Sequence, residues 1–402
     1  MIGRAVDQVT RPSVRTDESP EPRLAKYHVP EVVFGPGALA EVGACAARVG
    51  ARRPFLVTDP GLIEAGWAWK VQRSLTGAGL RPVVWAGVTP NPKDHEVQAA
   101  YQRYREAGAD VIIGLGGGSC IDAAKGVAIL AANGGHILDY AGVDRVSRPI
   151  PPLVMVPSTA GTGADVSQFA VITDTARAVK VTIISRTLVP DVSVIDPCLL
   201  VTMPDWLTAA TGLDALTHAV ESYVSRARNP LTEGHSLRAT DLVFDHLTHT
   251  LVEPRALPPR VAMAQAALEA GMAFTNAILG ATHAMSHQVG GLLDLPHGLI
   301  NGVLLPHVMR FNAAAVPEAF VPLARVVGVD TRGPAGDVAA VLADRVRELA
   351  DVAGVPRGLA ELGVSVDDIP VLAANTLDDA CLATNPRPVS RADVEALFRR
   401  AL

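Results

Sequence analysis

Short, uniformly apolar runs alternate with segments of helical composition between Arg53 and Asp196. The runs read RPFLVTD, RPVVWAG, ADVIIGLGGGS, PPLVMVPST and VSVIDP. Strands that are hydrophobic on both faces are typical of a parallel sheet covered by helices on both sides. The alternation therefore predicts a doubly wound α/β domain. Asp174 and Thr175 separate two β-branched runs in FAVITDTARAVKVTIIS, which predicts a hairpin inserted in this domain.

The pattern changes after the tetrapeptide MPDW, which ends at Trp206. Long segments rich in Ala and Leu, such as PDWLTAATGLDALTHAVESYVS, then predict an all-α region. A length of 402 residues also favours two domains over a single core. We expect a disordered leader at residues 1–25, an α/β domain at residues 26–200 and a helical domain at residues 201–402.

The composition argues against several classes of partner. The net charge is -6 and no long block of Lys or Arg is present, so we expect no nucleic-acid partner. No run of about 18 apolar residues could span a bilayer, so we expect no membrane insertion. The four cysteines lack CxxC spacing, which argues against a disulfide framework and a thiolate zinc site. These features predict a cytoplasmic protein.

One carboxylate and four histidines indicate a metal site in the helical region. Asp214 and His218 are four residues apart, and His283, His287 and His297 follow in a second group. An i, i+4 pair projects both side chains from one helix face, and imidazole with carboxylate suits zinc or ferrous iron. Each residue alone could be a solvated acid or a satisfied core histidine. Because five candidates exceed four ligand positions, we expect one histidine not to bind the metal.

Three polar loops at predicted strand ends indicate a dinucleotide crevice. Gly116 to Ser119 lie between an apolar strand and an Ala-rich helix, where backbone amides can approach a diphosphate. A purely structural turn is the alternative. Asp59 ends another strand and could accept hydrogen bonds from a ribose, although in the usual fingerprint the acid follows the glycines. The segment PSTAGTGAD supplies the third loop.

These segments together resemble the iron-dependent, or group III, alcohol dehydrogenase family. The resemblance runs from Tyr27 to the C-terminus. It rests on YHVPEVVFGPGAL, VTDPGL, GVTPNP, GGGSCIDAAK, PSTAGTGAD, LVPDVSVIDP, GLDALTHAVESY, HAMSHQVGGLLDLPHGLINGVLLPHVMRFN and CLATNPRP, in that order. It implies a dehydroquinate synthase-like architecture, with an N-terminal NAD-binding α/β domain, a helical metal-binding domain and a metal in the cleft between them.

The resemblance also implies roles for individual residues. The metal ligands would be Asp214, His218, His283 and His297, with His287 as the non-ligand catalytic residue beside the nicotinamide. The cofactor contacts would be Asp59, Asn91, Gly117, Gly118, Ser119, Asp122, Ser158, Thr159, Thr162, Lys180 and Leu188. Asp59 matches the acid that favours NAD over NADP. The metal would be Fe(II), with zinc as the alternative. The chain departs from many relatives at Ala164 and Asp165, where they have Ser-Glu, which puts local contacts in question.

The implied activity is that of an NAD-dependent alcohol dehydrogenase or aldehyde reductase. Hydride would pass between C4 of the nicotinamide and a small primary alcohol or aldehyde, including hydroxy- or phosphono-aldehydes. Candidate pocket residues are Phe169, Met272, Phe274 and Leu279. We expect a homodimer or a higher homo-oligomer. Maleylacetate reductase, a glycerol-type polyol dehydrogenase and a non-catalytic NAD sensor are alternatives. A dehydroquinate synthase-like lyase is more remote, because HAMSHQVGGLLDLPHGLING has no Lys or Arg for its polar phosphate substrate.

Overall fold

A parallel sheet of six strands forms the N-terminal half of the computed structural model, which describes residues 26–402. The predicted leader at residues 1–25 lies outside the described residues. The strands are β1 (Glu31–Phe34), β2 (Pro54–Val57), β3 (Val83–Trp85), β4 (Val111–Gly116), β5 (Gly142–Val143), β6 (Leu153–Pro157), β7 (Phe169–Asp174), β8 (Val179–Ile184) and β9 (Val192–Ile195). Their order in the main sheet is β1-β9-β6-β4-β2-β3, and all neighbours are parallel. The predicted parallel sheet is confirmed.

Helices cover both faces of this sheet and then form the C-terminal half of the chain. They are α1 (Val42–Arg48), α2 (Pro60–Glu64), α3 (Trp67–Gly77), α4 (Asp94–Ala107), α5 (Gly118–Asn133), α6 (Asp205–Val224), α7 (Pro230–Val252), α8 (Leu257–Ala277), α9 (Ala281–Leu293), α10 (His297–Ala313), α11 (Phe320–Val326), α12 (Ala335–Val352), α13 (Ile369–Leu377) and α14 (Arg391–Ala401). On β2, Phe55 packs with α4 and α5, whereas Leu56 packs with α1 and α3 on the opposite face. Burial on both faces explains why the strand sequences are uniformly apolar.

The predicted hairpin is present, and a short third strand joins it. β7 and β8 pair antiparallel from Phe169 opposite Ile184 to Asp174 opposite Val179. β5 adds to β8 in parallel, giving a separate sheet of three strands. β7 packs against α5 and β8 against α9, so the hairpin lies between the main sheet and the helical region.

Two glycines lie inside α9. Glycine commonly follows the last turn of a helix, so Gly290 and Gly291 in the sequence predict the end of this helix, but it continues to Leu293. A Cβ atom on Gly291 would lie 3.0 Å from the backbone nitrogen of Lys180, and one on Gly290 would lie 3.0 Å from its Nζ. The glycines therefore permit close packing of α9 against β8. The helix ends instead at Asp294, whose backbone is left-handed with φ of 51°.

The helical region surrounds α6, which is buried from Thr208 to Val224. α7 and α8 pack on α6 and on each other, and α10 crosses α6, α9 and α12. α10 meets α6 at Gly298, where an added Cβ would lie only 1.9 Å from the carbonyl oxygen of Ala210. In residues 26–402, no helix combines the length and the hydrophobicity needed to cross a bilayer.

Candidate metal and cofactor site

A cleft of about 1040 Å³ opens where the carboxyl ends of β2, β4 and β6 face the hairpin and the helices α6, α9 and α10. Residues from all three predicted polar loops line it, together with the carboxylate and histidine group. The predicted site residues in its lining are Asp59, Asn91, Gly117, Gly118, Ser119, Asp122, Ser158, Thr159, Thr162, Lys180, Asp214, His218, His283, His287 and His297. Leu188 lies apart from them, fully buried in the core beside α5.

The glycine loop follows β4 at a point where the direction of the sheet winding reverses. The chain passes from β2 outward to β3 and then returns to β4 on the other side of β2, which is where open α/β sheets bind ligands. Gly117 is the N-cap of α5, a helix of 16 residues, so the loop presents unpaired backbone amides and the positive end of the helix dipole. A Cβ on Gly118 would lie 2.9 Å from the Thr162 side chain. Glycine is therefore needed where the two loops meet.

Asp59 caps α2 and also lines the cleft. Its Oδ1 accepts a hydrogen bond of 2.9 Å from the amide of Leu62 as the N-cap of α2. Its Oδ2 lies 3.2 Å from the Sγ of Cys120, which donates to it. Because β2 and β4 are neighbours, this carboxylate lies beside the glycine loop although it precedes the loop by more than fifty residues.

Asn91 connects the sheet side of the cleft to the helical side. Its backbone, with φ of 54°, donates a hydrogen bond of 3.1 Å to the Oγ of Ser119. Its Oδ1 accepts a bond of 2.7 Å from the Nζ of Lys180, and its Nδ2 donates one of 2.6 Å to Asp294. Burial lowers the pKa of Lys180 to about 8. In the described residues, the buried Oγ1 of Thr159 has no protein partner.

Asp122 and Asp165 anchor the segment that leads from the third polar loop to β7. An oxygen of Asp122 accepts a hydrogen bond of 3.2 Å from the amide of Val171. Burial raises the pKa of Asp122 to about 7. Asp165, where many relatives were expected to have Glu, accepts a bond of 2.7 Å from the hydroxyl of Ser193. Asp165 departs from the family pattern and is nevertheless paired with a buried hydrogen-bond donor.

The four predicted metal ligands come together from three helices. The Oδ1 of Asp214 lies 3.9 Å from the Nδ1 of His218 and 3.8 Å from the Nε2 atoms of both His283 and His297. Ligand atoms that share one tetrahedral ion lie about 3.4 Å apart, from bond lengths near 2.1 Å. Asp214, His283 and His297 each offer an atom within 4.8 Å of the others. These three residues form a group of the size that a divalent ion requires, and His218 lies next to Asp214 but is not part of this compact group.

Hydrogen bonds outside the cluster orient its imidazoles. The Nδ1 of His283 donates to the Oε2 of Glu221 at 2.7 Å, and the Nδ1 of His297 is hydrogen-bonded to the Oγ of Ser286 at 2.7 Å. Both rings therefore turn Nε2 toward Asp214, as in metal sites whose second nitrogen is held by an outer partner. The Nδ1 of His218 is buried and has no hydrogen-bond partner in the described chain. An unpartnered nitrogen aimed at a carboxylate fits a metal ligand.

The protonation preferences of the cluster also favour a cation. Burial raises the pKa of Asp214, but the surrounding histidines overcome this and hold it well below its usual range. Burial lowers the pKa of His218 to about 4, which keeps its ring neutral near pH 7. Burial also lowers the pKa of His283, yet the nearby carboxylates of Asp214 and Glu221 raise it to about 9. The two carboxylates thus favour positive charge at this position, which a bound metal ion would also supply.

His287 lies beside the cluster and has a different partner. Its ring stacks on that of His297, with centroids 5.2 Å apart, and its Nδ1 donates to the Oδ2 of Asp379 at 2.8 Å. His287, Asp379 and Cys381 form a second compact group of possible ligands. The carboxylate of Asp379, however, also accepts a hydrogen bond of 2.9 Å from the amide of Cys381. Burial raises the pKa of the Cys381 thiol well above its usual value. This group is better described as a support for His287 than as a metal site.

Sequence reasoning missed four supporting residues, three of which had a local signal. Glu221 lies three residues after His218 on α6, and Ser286 lies three residues after His283 on α9. Asn301 follows His297 by four residues on α10, and its Nδ2 donates to Asp214 at 2.8 Å. Helical spacing could have identified these three. Asp379 is 92 residues from His287, so no local pattern could have paired them.

Aromatic and aliphatic side chains line the cleft next to the cluster. Phe169 from β7 and Phe274 from α8 have ring centroids 5.5 Å apart, and Phe274 stacks on His218 at 4.4 Å. Leu279 belongs to the same buried group. Met272, the fourth candidate from the sequence, does not line the cleft.

Comparison with known proteins agrees with this geometry over nearly the whole chain. Residues 30–197 match the family described as iron-containing alcohol dehydrogenase, and residues 208–402 match the C-terminal part of the Fe-containing alcohol dehydrogenase family. A 1,3-propanediol dehydrogenase of Citrobacter freundii is 42% identical over 383 residues, covering 94% of this chain and 99% of that protein. An NAD-dependent methanol dehydrogenase of Bacillus methanolicus is 38% identical over 377 residues, covering 93% and 98%. A crystal structure of a 1,3-propanediol oxidoreductase has a TM-score of 0.91 at 41% identity, covering 94% of this chain and all of that chain. The chain belongs to the iron-containing alcohol dehydrogenase family.

Proposed function

We propose that this protein is an NAD-dependent, metal-dependent alcohol dehydrogenase or aldehyde reductase for short, uncharged substrates. The observation that carries the proposal is the continuity of one cleft from the glycine loop at Gly117 to the cluster around Asp214, with His287 beside the cluster. A diphosphate loop alone would fit many nucleotide-binding proteins, and a metal cluster alone would fit many hydrolases. Their combination in one cleft fits hydride transfer.

The residues of the cluster fit a divalent ion, with Fe(II) first and zinc as the alternative. When bound by Asp214, His218, His283 and His297, such an ion supplies Lewis acidity toward the substrate oxygen. Glu221 keeps the ring of His283 turned toward the cluster by accepting from its Nδ1. This preorganisation lowers the cost of binding the ion and of orienting the substrate.

His287 is proposed to handle the proton of the substrate hydroxyl. Asp379 accepts the hydrogen bond from its Nδ1, which leaves Nε2 as the atom able to exchange a proton with the cleft. His287 therefore acts on the proton without taking part in metal binding.

The proposed cofactor position follows from the three loops at the strand ends. The amides at Gly117, Gly118 and Ser119 suit the diphosphate, and Thr159 offers an unpartnered hydroxyl. Asp59 suits the hydroxyls of the adenosine ribose. A 2′-phosphate would be repelled by this carboxylate, so NAD is favoured over NADP.

The cleft favours uncharged alcohols over anionic substrates. Apart from histidine, the basic side chains in its lining are Lys93 and Lys180, whose ammonium groups are engaged by Asp294 and Asn91. The wall of Phe169 and Phe274 offers no cation to a carboxylate, sulfonate or phosphonate. This argues against maleylacetate reductase and phosphono-aldehyde reduction, whereas short monoalcohols and small diols fit. The names of the propanediol and methanol dehydrogenase relatives support the same choice.

An activity panel tests the function directly. Protein reconstituted with Fe(II) or Zn under anaerobic conditions is assayed with primary alcohols, diols and their aldehydes while NADH absorbance is followed. We expect turnover of a short alcohol or aldehyde with NAD(H), and none after chelation. Cofactor binding by a metal-loaded protein that turns over no substrate of the panel would favour the NAD-sensor interpretation instead.

We also propose a cytoplasmic homo-oligomer. All four cysteines are free, which supports a reducing compartment. β1 lies at one end of the main sheet and exposes 38% of Phe34, which supports a protein contact at this edge. Light scattering coupled to gel filtration tests the assembly, and a monomer at micromolar concentration would contradict it.

A further inference from the structure

Lys125 is a fully buried cation that no step described so far uses. It lies on α5, two turns after the glycine loop, and none of its surface is exposed. Its Nζ donates hydrogen bonds of 2.6 Å to the carbonyl of Ala164, 2.7 Å to that of Ser167 and 2.8 Å to that of Phe169. Three carbonyl oxygens thus meet the three protons of one ammonium group.

Burying a lysine is costly unless its charge and donors are matched, so this arrangement needs a reason. Burial lowers the pKa of Lys125 to about 8, which leaves it protonated near neutral pH. Asp122, one turn earlier on α5, accepts from the amide of Val171. Side chains on one face of α5 therefore form hydrogen bonds with both ends of the segment 164–171.

Residues of the segment 164–171 form part of the cleft wall. Ala164, Ser167 and Phe169 all line the cleft. The ring of Phe169 packs on Phe274, and Phe274 stacks on the candidate ligand His218. A displacement of the backbone near Phe169 would therefore change the space next to the proposed metal.

We propose that Lys125 is a positioning residue that sets the size of the substrate that the cleft accepts. By holding three carbonyls, it fixes the backbone that presents Phe169 to Phe274. Without this anchor the segment 164–169 relaxes and the aromatic wall retreats, so longer alcohols fit. The inference rests on the proposed alcohol dehydrogenase function and adds a residue that touches neither substrate nor cofactor.

The central test replaces Lys125 by Met, which keeps the length of the side chain and removes its donors. The matched control is Arg260→Met. Arg260 is also a buried cation that donates to a carbonyl, that of Pro254, but it lies outside the cleft lining. We expect Lys125→Met to raise the ratio of kcat/KM for 1-hexanol to that for ethanol about tenfold, a typical effect of one methylene in a pocket. Arg260→Met should change both values by the same factor and leave the ratio unchanged.

Hydrogen–deuterium exchange gives a readout that does not depend on activity. In metal-free protein, Lys125→Met should speed amide exchange in residues 164–171 and leave the peptides of α10 unchanged. Lys125→Arg, whose planar group cannot meet the same three carbonyls, should give a smaller change in the same peptides. If Lys125→Met does not fold, Lys125→Arg carries both measurements.

A double substitution tests the route through the aromatic wall. Phe169→Ala alone should shift the alcohol preference in the same direction, and adding Lys125→Met should shift it little further. An unchanged chain-length ratio in both Lys125 variants, or a ratio that Arg260→Met changes equally, overturns the inference. Wild-type protein without turnover of any alcohol would instead contradict the proposed function, while the exchange experiment would still test the anchor.

Discussion

His283 and His287 each have one ring nitrogen hydrogen-bonded to a buried carboxylate. Glu221 holds His283, and Asp379 holds His287. The difference lies in the other nitrogen, which in His283 lies 3.8 Å from Asp214. The two histidines are therefore proposed to have different roles, because a hydrogen bond at one nitrogen fixes the tautomer and the direction of the other.

Substitution of two histidines should separate metal binding from proton transfer. His218→Ala should lose both metal and activity, because it removes a nitrogen 3.9 Å from Asp214. His287→Ala should retain metal and lower kcat by about 10²- to 10⁴-fold, as loss of a general acid–base does. Metal content is measured by mass spectrometry alongside turnover. Equal metal loss in both variants would refute the proposed division of roles.

Glu221→Gln should weaken metal binding without removing a ligand. Glu221 accepts from the Nδ1 of His283 and also from the amides of Gly280 and Thr282. A glutamine amide group would meet one of these donors with its own protons. Metal affinity should fall about 10- to 100-fold in competition with a chelator. Glu269→Gln, which changes the partner of the distant His235, is the matched control and should leave affinity unchanged.

Asp59→Asn should relax the preference for NAD. Asparagine retains an acceptor for the amide of Leu62, so α2 keeps its N-cap, while the negative charge is lost. Removal of the repulsion toward a 2′-phosphate should raise the ratio of kcat/KM for NADP to that for NAD on the order of tenfold. Steady-state kinetics with both cofactors measures the ratio, and a constant ratio would place the ribose elsewhere.

At the scale of secondary structure, close contacts between elements decide the geometry of the site. α6 carries two proposed ligands, α9 one, and α10 begins with the fourth. The close approach of α10 to α6 depends on Gly298, because the space between this residue and Ala210 is too small for a side chain. The hydrophobic patterns predict these helices but give no hint of how closely their axes meet, because a glycine in a helix is ordinarily a neutral or unfavourable choice.

Gly298→Ala should separate α10 from α6. Its Cβ would lie 1.9 Å from the carbonyl oxygen of Ala210, so a backbone must move. We expect a loss of about 1 to 3 kcal/mol in the free energy of unfolding, together with weaker metal binding as His297 moves from Asp214. Gly234→Ala on α7 is the control, since its new Cβ would meet nothing within 4 Å. It should be neutral or stabilising by up to about 1 kcal/mol. Similar unfolding curves for the two variants would contradict this prediction.

For the whole molecule, the cleft joins regions that are far apart along the chain. Asp59 lies beside the glycine loop through the pairing of β2 with β4, and Asn91 reaches Asp294 across more than two hundred residues. A metal bound to α6, α9 and α10 would tie three helices together. It should therefore stabilise the folded chain, because the unfolded chain offers no such site.

Metal loading should raise the melting temperature. At a free metal concentration 100 times Kd, linkage predicts about 2.7 kcal/mol of stabilisation, or about 3 °C for a chain of this length. Calorimetry of the protein with Fe(II) or Zn, before and after chelation, measures the shift. His218→Ala should show little change under the same conditions. An equal shift in this variant would mean that the ion binds elsewhere.

Local residue patterns were sufficient to predict the parallel sheet, the change to helices after Trp206 and several candidate residues of the cleft. Buried strands must be apolar on both faces, and paired ligands on a helix must recur at its period, so both leave local patterns. The division of the histidines came from a family resemblance. Three features became visible only in the folded chain: Asp379 supports His287, α9 continues through Gly290 and Gly291, and Lys125 donates to three carbonyls behind the cleft wall. These features are contacts between segments that are distant in the sequence, and such contacts produce no regular spacing of residues that a local pattern could reveal.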